Sequence, residues 1–96
     1  YLSPSERAGA LSLIRGLRAA ERLADSGGRP EVAALKTAVA AEVAKVPEAK
    51  VDYIEIVHPE TLEPLAAGRL QGDVVVALAV RIGATRLIDN LALRVS

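Results

Sequence analysis

Residues 73–90 read DVVVALAVRIGATRLIDN, two strand-forming runs joined by a short turn. The first run, 73–82, is almost uniformly apolar, which is typical of a central strand covered on both faces. Gly83, Ala84 and Thr85 form the turn, and residues 86–95 then alternate in polarity as a half-buried strand does. This stretch predicts a β-hairpin within a small antiparallel sheet.

One residue of the alternating strand does not suit the face on which it lies. Leu87, Leu91, Leu93 and Val95 share one side of the strand with Asp89. A carboxylate among leucines needs either hydrogen-bond partners or a route out of the core. We therefore expect a bulge or a buried hydrogen-bonding role at Asp89.

A further strand precedes the hairpin at residues 51–57. Its period of two places Asp52, Ile54 and Ile56 on one face, and Tyr53 and Glu55 on the other. Residues 58–61 form a turn, 62–64 a brief extended piece and 66–71 a loop. The sheet therefore has three strands, or four if residues 62–64 join it.

Two helices occupy the first half of the chain. Ser3 and Glu6 form a capping box around Pro4, which suits the first helical position. The predicted apolar stripe of this helix is Ala10, Leu13, Ile14, Leu17, Ala20 and Ala24. The second helix opens at Pro30 and stops at Pro47. Its predicted stripe is Val32, Leu35, Val39, Val43 and Val46.

These elements predict a single α+β domain over residues 1–96, with an N-terminal helical hairpin packed on the antiparallel sheet. The chain begins with Tyr1 and contains no methionine, so we expect it to be a fragment of a longer protein. Removing a neighbouring domain would leave apolar surface exposed, and the oligomeric state stays open.

Composition argues against several classes of protein. Twelve basic and twelve acidic residues cancel, and two tyrosines are the only aromatic residues, which disfavours nucleic-acid binding. No apolar run approaches the roughly 20 residues of a membrane span. With no cysteine and one histidine, disulfides and a zinc site are not expected. We expect a cytoplasmic protein.

Most polar residues have an ordinary structural explanation. His58 precedes a proline in a turn, and Asp52 and Glu55, on opposite faces of one strand, do not form a facing carboxylate pair. The arginines of the first helix alternate with glutamates, as on a solvated face; they are Arg7, Arg15, Arg18 and Arg22. The glycines match no phosphate-binding loop.

The cluster of Arg81, Arg86, Asp89 and Asn90 leaves two interpretations open. In the first, the aspartate accepts hydrogen bonds from the backbone or from an arginine and fixes the register of the hairpin. In the second, an arginine reaches a phosphate or a carboxylate of a ligand. The residues alone indicate a small α+β domain without a self-contained active site.

Three stretches resemble the pantothenate synthetase family. Residues 1–7, YLSPSER, are similar to the segment that follows the Ser-Ser-Arg-Asn sequence of that family. Residues 51–57, VDYIEIV, with 61–64, TLEP, resemble the start of the sheet in its C-terminal domain. Residues 79–90, AVRIGATRLIDN, match its terminal hairpin and are the most specific of the three.

The resemblance implies a role for the parent enzyme. Family members use ATP and Mg²⁺ to convert pantoate into pantoyl adenylate, and β-alanine then displaces AMP to give pantothenate, a coenzyme A precursor. A larger N-terminal domain binds the nucleotide and pantoate and usually forms a homodimer, while the C-terminal domain acts as a lid. No residue of this chain matches a catalytic, cofactor-binding or metal-binding position of the family.

The resemblance therefore predicts that residues 1–96 are the C-terminal lid domain of such a ligase and are inactive alone. The alternative is a stand-alone α+β module that binds a small molecule or serves assembly without catalysis.

Overall fold

The computed structural model describes residues 2–95, so Tyr1, with which the first resembling stretch begins, lies outside the described residues. Two helices, α1 (Pro4–Ala24) and α2 (Val32–Val43), precede three strands, β1 (Ala49–Val57), β2 (Gly72–Ile82) and β3 (Thr85–Val95). The strands form one antiparallel sheet in the order β1-β2-β3. The predicted α+β fold, a helical hairpin on a small antiparallel sheet, is confirmed.

The β2–β3 hairpin has the predicted position and a two-residue turn. Ile82 pairs with Thr85, and Gly83 has φ 58 while Ala84 does not share a positive φ. A positive φ at the first turn position favours glycine and suits the right-handed twist of the flanking strands. The register then runs without interruption to the pairing of Gly72 with Val95.

The buried face of α1 carries smaller residues than the sequence predicts. Leu13, Leu17, Ala20 and Ala24 are buried as expected. The prediction is wrong at Ile14, because its side chain is 48% exposed. The positions turned toward the core are instead Gly9, Ser12 and Gly16.

Small residues on α1 allow its backbone to approach both neighbouring layers. A methyl group on Gly9 would overlap Cδ1 of Ile82 and lie 2.9 Å from its Cγ1. A methyl group on Gly16 would lie 3.1 Å from Cγ1 of Val39 on α2. The hydroxyl of Ser12 is satisfied within the helix, since it donates to the Gly9 carbonyl at 2.7 Å. The core therefore depends on close contact between backbones.

The α2 helix and the loop after β1 support each other. Leu35, Val39 and Val43 are buried as predicted, but the helix ends at Val43, before Val46 and Pro47. Its first amide, that of Val32, donates to the Gly68 carbonyl at 3.0 Å. This bond satisfies a donor that α2 leaves free, because its N-cap residue makes no side-chain cap.

The helices cover one face of the sheet, whereas the sequence predicts a central strand covered on both. Val74, Val76, Leu78, Val80 and Ile82 point to the helices and are buried. On the outer face, Val75 and Ala77 are half-buried and Ala79 is buried, although no other described element covers that face. The apolar outer positions are small, and flanking side chains of β1 and β3 shield them.

A β-bulge in β1 breaks the predicted alternation at Asp52, whereas residues 53–57 alternate as predicted. Val51 pairs with Val80 and Tyr53 pairs with Ala79, so Asp52 is the extra residue. Val51 therefore lies on the helix side of the sheet together with Ile54, whereas strict alternation would put the two residues on opposite faces. The periodicity gives no sign of the bulge, because apolar residues occur in both phases.

The expectation at Asp89 is wrong, and of the two strand counts left open, three is correct. Asp89 lies in a regular part of β3 and is exposed, so it neither forms a bulge nor occupies a buried site. The helices leave this edge position open to solvent. Residues 62–64 add no fourth strand to the described sheet and contribute one isolated bridge, between Pro64 and Val57.

Replacing Gly9 with alanine should destabilise the domain although alanine favours helices by about 1 kcal/mol. The new methyl group displaces the buried Ile82 side chain, an overpacking effect that costs about 1–3 kcal/mol. Urea denaturation of Gly9→Ala should therefore show a lower free energy of unfolding.

Gly28→Ala is the matched control, since a methyl group there meets no atom closer than 3.6 Å. Its stability should equal or slightly exceed that of the wild type. A Gly9→Ala protein more stable than the wild type would disprove the close-approach interpretation.

Candidate functional site

Three cations lie side by side at the turn end of the outer sheet face. Lys50 pairs with Arg81 across β1 and β2, and Arg81 pairs with Arg86 across β2 and β3. Like charges directly opposite one another on neighbouring strands are destabilising. This cation row therefore needs a neutralising group nearby.

Asp52 provides that group, and the bulge in β1 positions it. Nε of Arg86 donates to Oδ2 of Asp52 at 2.7 Å, and Nε of Arg81 lies 3.9 Å from the same oxygen. One carboxylate thus serves two of three cations, and within residues 2–95 Lys50 has no ion-pair partner. The row keeps a surplus of positive charge.

Tyr53 holds Arg86 from a second direction. The guanidinium carbon of Arg86 lies 5.6 Å from the centre of the tyrosine ring, within the range of a cation–π interaction. Because the bulge places Asp52 and Tyr53 on the same side, both act on one arginine. This arrangement supports the register-fixing interpretation of the arginine cluster, with Asp52 instead of Asp89 as the acceptor.

The start of α1 is tied to the same end of the sheet. The predicted capping box is present: the Glu6 amide donates to Ser3 Oγ at 3.1 Å, and the Ser3 amide donates to Glu6 Oε1 at 2.8 Å. The second Glu6 oxygen accepts a hydrogen bond from the Thr85 hydroxyl. Hydrogen bonds from Thr85 and then from Ser3 hold the pKa of Glu6 below its ordinary value of 4.5.

The opposite end of the sheet carries a surface cleft of about 420 Å³ whose lining includes His58, Arg69 and Asp73. Nδ1 of His58 accepts from the amides of Glu60 and Thr61 at 3.2 and 3.3 Å, which confirms its predicted role in a turn. Arg69 donates to the Gly28 and Arg29 carbonyls. Asp73 pairs with Arg94 at 3.1 Å. These groups serve structural bonds.

The remaining candidates do not converge on a catalytic arrangement. Glu55 is 3.8 Å from Lys36, and Asp52 is held by Arg86, so these carboxylates form no facing pair. The four arginines of α1 are exposed, as predicted. Asp89 accepts a hydrogen bond from the amide of Asn90, its neighbour in sequence. Neither residue joins Asp52, Tyr53, Arg81 and Arg86, which we call the Asp52 cluster.

Among residues 2–95 there is no group of three acidic, histidine or cysteine side chains that could hold a metal ion. A search of the same residues for helices that are long and apolar enough to cross a membrane finds none.

Sequence reasoning identifies Arg81 and Arg86 but misses their partners. It begins the strand at residue 51, after Lys50, and gives Asp52 no partner. The signal for the cluster is the spacing of charges around the turn, which aligns residues 81 and 86 across the hairpin. The bulge that brings Asp52 to them has no such signal.

The fold is that of a small α+β domain in which Asp52 and Tyr53 hold Arg86 at the turn end of the sheet. The sequence pattern of the family described as pantoate-beta-alanine ligase matches residues 1–92. The chain belongs to the pantoate-beta-alanine ligase family, whose members are named pantothenate synthetases, as the resembling stretches predict.

Individual relatives agree with this assignment. Pantothenate synthetase of Moorella thermoacetica is 43% identical over 96 residues, which are 100% of this chain and 33% of that protein. The Oleidesulfovibrio alaskensis protein is 48% identical over 95 residues, 97% of this chain and 32% of its own length. The crystal structure of the Thermus thermophilus enzyme aligns with TM-score 0.79 and 42% identity, covering 95% of this chain and 32% of that one. The chain thus spans about a third of these relatives.

Replacing Arg86 with glutamine should lower the free energy of unfolding by about 1–2 kcal/mol, as it removes a partly shielded ion pair and a cation–π contact. Arg94→Gln is the matched control on the same strand and face. Its pair with Asp73 is 77% and 63% exposed and should contribute about 0.5 kcal/mol or less. Equal losses in chemical denaturation would contradict a special role for the Asp52 cluster.

Glu6 should make stability depend on acid pH. Its pKa is lower in the folded protein than its ordinary value, so the ionised form stabilises the fold. This contribution is present above about pH 4.5 and is lost as the pH falls through the lower folded-state pKa. The Tm of Glu6→Gln should be lower than that of the wild type at neutral pH, and the gap should shrink below about pH 4.5. A constant gap would refute this linkage.

Proposed function

We propose that this chain is the C-terminal lid domain of a pantoate-beta-alanine ligase that condenses pantoate with β-alanine through pantoyl adenylate. The observation that carries the proposal is the full-length match: at 43% identity the whole chain aligns with only a third of a pantothenate synthetase. The parent would be a homodimer with a larger nucleotide-binding domain preceding this one.

The chemistry of the described residues is consistent with a covering role. No group of three acidic, histidine or cysteine side chains that could hold a metal ion occurs among residues 2–95, so this part of the chain does not fit a Mg²⁺ site. We assign ATP and Mg²⁺ binding to the preceding domain.

A lid contributes by controlling water. Pantoyl adenylate is a reactive mixed anhydride, and either the β-alanine amine or water can displace AMP from it. Covering the site excludes water, so that the amine reacts instead. The Thr85 hydroxyl donates a hydrogen bond to Glu6 and so joins the hairpin to the first turn of α1, and we expect the two to move together.

Deleting residues 1–96 from the parent enzyme tests the proposal. The expected result is a large loss of pantothenate formation, at least about tenfold greater than the loss of pantoate-dependent ATP–pyrophosphate exchange. Any adenylate that still forms should be hydrolysed, so the ratio of AMP to pantothenate should rise above one. Both products are measured in the same reaction by chromatography.

Adding the separately produced chain back to the truncated enzyme provides the control and should lower the ratio again. Alone, the chain should neither consume ATP nor bind it with micromolar affinity in calorimetry. Full pantothenate formation by the truncated enzyme, with a product ratio of one, would sink the lid proposal.

A further inference from the structure

The two edges of the sheet differ in their protection. At the β1 edge, the bulge at Asp52 interrupts regular pairing and Pro64 bridges to Val57. Lys36 of α2 reaches Glu55 on the same strand at 3.8 Å. Bulges, prolines and charges are the features with which proteins prevent an edge strand from accepting another strand.

The β3 edge also carries charges, at Arg86, Asp89 and Arg94, but it has neither a bulge nor a proline. Its eleven residues pair with β2 in unbroken register from Thr85 to Val95, and within residues 2–95 they pair with no other strand. The sequence of the strand contains no proline. In the middle of the strand, the backbone amide of Asn90 donates a hydrogen bond to Oδ1 of Asp89 at 2.8 Å. A long, regular and uncovered edge is a template for pairing with additional protein.

Apolar side chains flank this edge on both faces of the sheet. On the helix side, Leu11 and Ile14 lie one turn apart on α1 and are 44% and 48% exposed. On the outer side, Ile88 of β3 is 56% exposed. A cleft of about 250 Å³ between α1 and β3 is lined by Ile14, Leu17, Arg18, Asp89, Asn90 and Leu91. We call Leu11, Ile14, Ile88 and Asp89 the β3 edge surface.

Asp89 adds a polar requirement to the surface. Its carboxylate faces the cleft from the helix side of β3, and no ion pair joins it to Arg18 or to another cation of the described chain. A carboxylate beside exposed apolar groups is suited to a partner that supplies both an apolar side chain and an N–H donor.

We propose that the β3 edge surface is where this domain docks onto the larger domain of its own enzyme. This rests on the proposed function, and the relatives supply the occupant: the aligned region is 32% of the Thermus thermophilus chain, so about two thirds of that protein lies outside it. The docked segment covers Ile14 and Ile88 and donates to Asp89.

Like charges disfavour the two pairings with a second copy of the chain that are centred on the middle of β3. An antiparallel two-fold pairing of β3 centred on Asp89 sets two carboxylates opposite each other. Centring the pairing on Asn90 sets Arg86 opposite Arg94. Like charges directly opposite each other destabilise both arrangements.

Cysteine labelling of the full-length enzyme tests the docking surface, because residues 1–96 contain no cysteine of their own. Ile14→Cys and Ile88→Cys, treated with a maleimide without substrates, should react about tenfold or more slowly than Leu62→Cys. Leu62 is 66% exposed and lies in the loop after β1, away from the surface. Peptide mass spectrometry assigns the label to its site.

Val51→Cys is the second control, since Val51 is 42% exposed at the opposite edge and should react quickly. Leu11→Cys carries the same test if an isoleucine variant fails to fold. Labelling of the surface positions as fast as Leu62→Cys would overturn the proposal. So would protection that disappears on dilution, since that assigns the surface to a second copy. The ratio of AMP to pantothenate in the truncated enzyme is measured independently of the labelling. Failure of the lid proposal can therefore be distinguished from failure of the docking proposal.

Discussion

The fold depends on the close approach of the α1 backbone to the layers beside it. The chain contains no Phe, Trp, Met or Cys, so its core is built from small and branched aliphatic side chains. Such side chains fill the space between helix and sheet only if the layers are near each other. Gly9 allows α1 to rest on Ile82, and Gly16 allows it to rest on Val39. The tight layer in turn sets where the hairpin end lies relative to the first turn of α1.

This close packing is accompanied by a link between the first turn of α1 and the turn of the β2–β3 hairpin. Glu6 closes its own capping box and also accepts from Thr85, at the end of the turn that Gly83 begins. On the other side of the sheet, Asp52 and Tyr53 hold Arg86, the next residue along. The hairpin end is therefore fixed from both faces. The lid role proposed for the domain would require such rigidity, because a loose edge would admit solvent.

The sequence predicts the elements well because each has a strong local cause. The capping box at Ser3 and Glu6 and the glycine turn after Ile82 depend on neighbouring residues. The predicted phase of α1 is wrong at Ile14, since hydrophobicity alone cannot show that Gly9 and Gly16 occupy buried positions because of their size. The Asp52 bulge is missed because both phases of β1 carry apolar residues. The spacing of charges around the turn predicts Arg81 and Arg86 of the candidate site. The position of their acceptor, Asp52, depends on the bulge.

The two edges of the sheet differ in how they are protected from further strand pairing. At β1 the local sequence supplies a bulge, a proline bridge and an ion pair, each of which makes a further strand unfavourable. At β3 the strand is regular, and the exposed apolar residues Leu11, Ile14 and Ile88 lie beside it. Asp89 breaks the apolar pattern of its face yet forms no ion pair within residues 2–95. These features, poorly explained within the domain, are all explained if the β3 edge is completed by the rest of the protein.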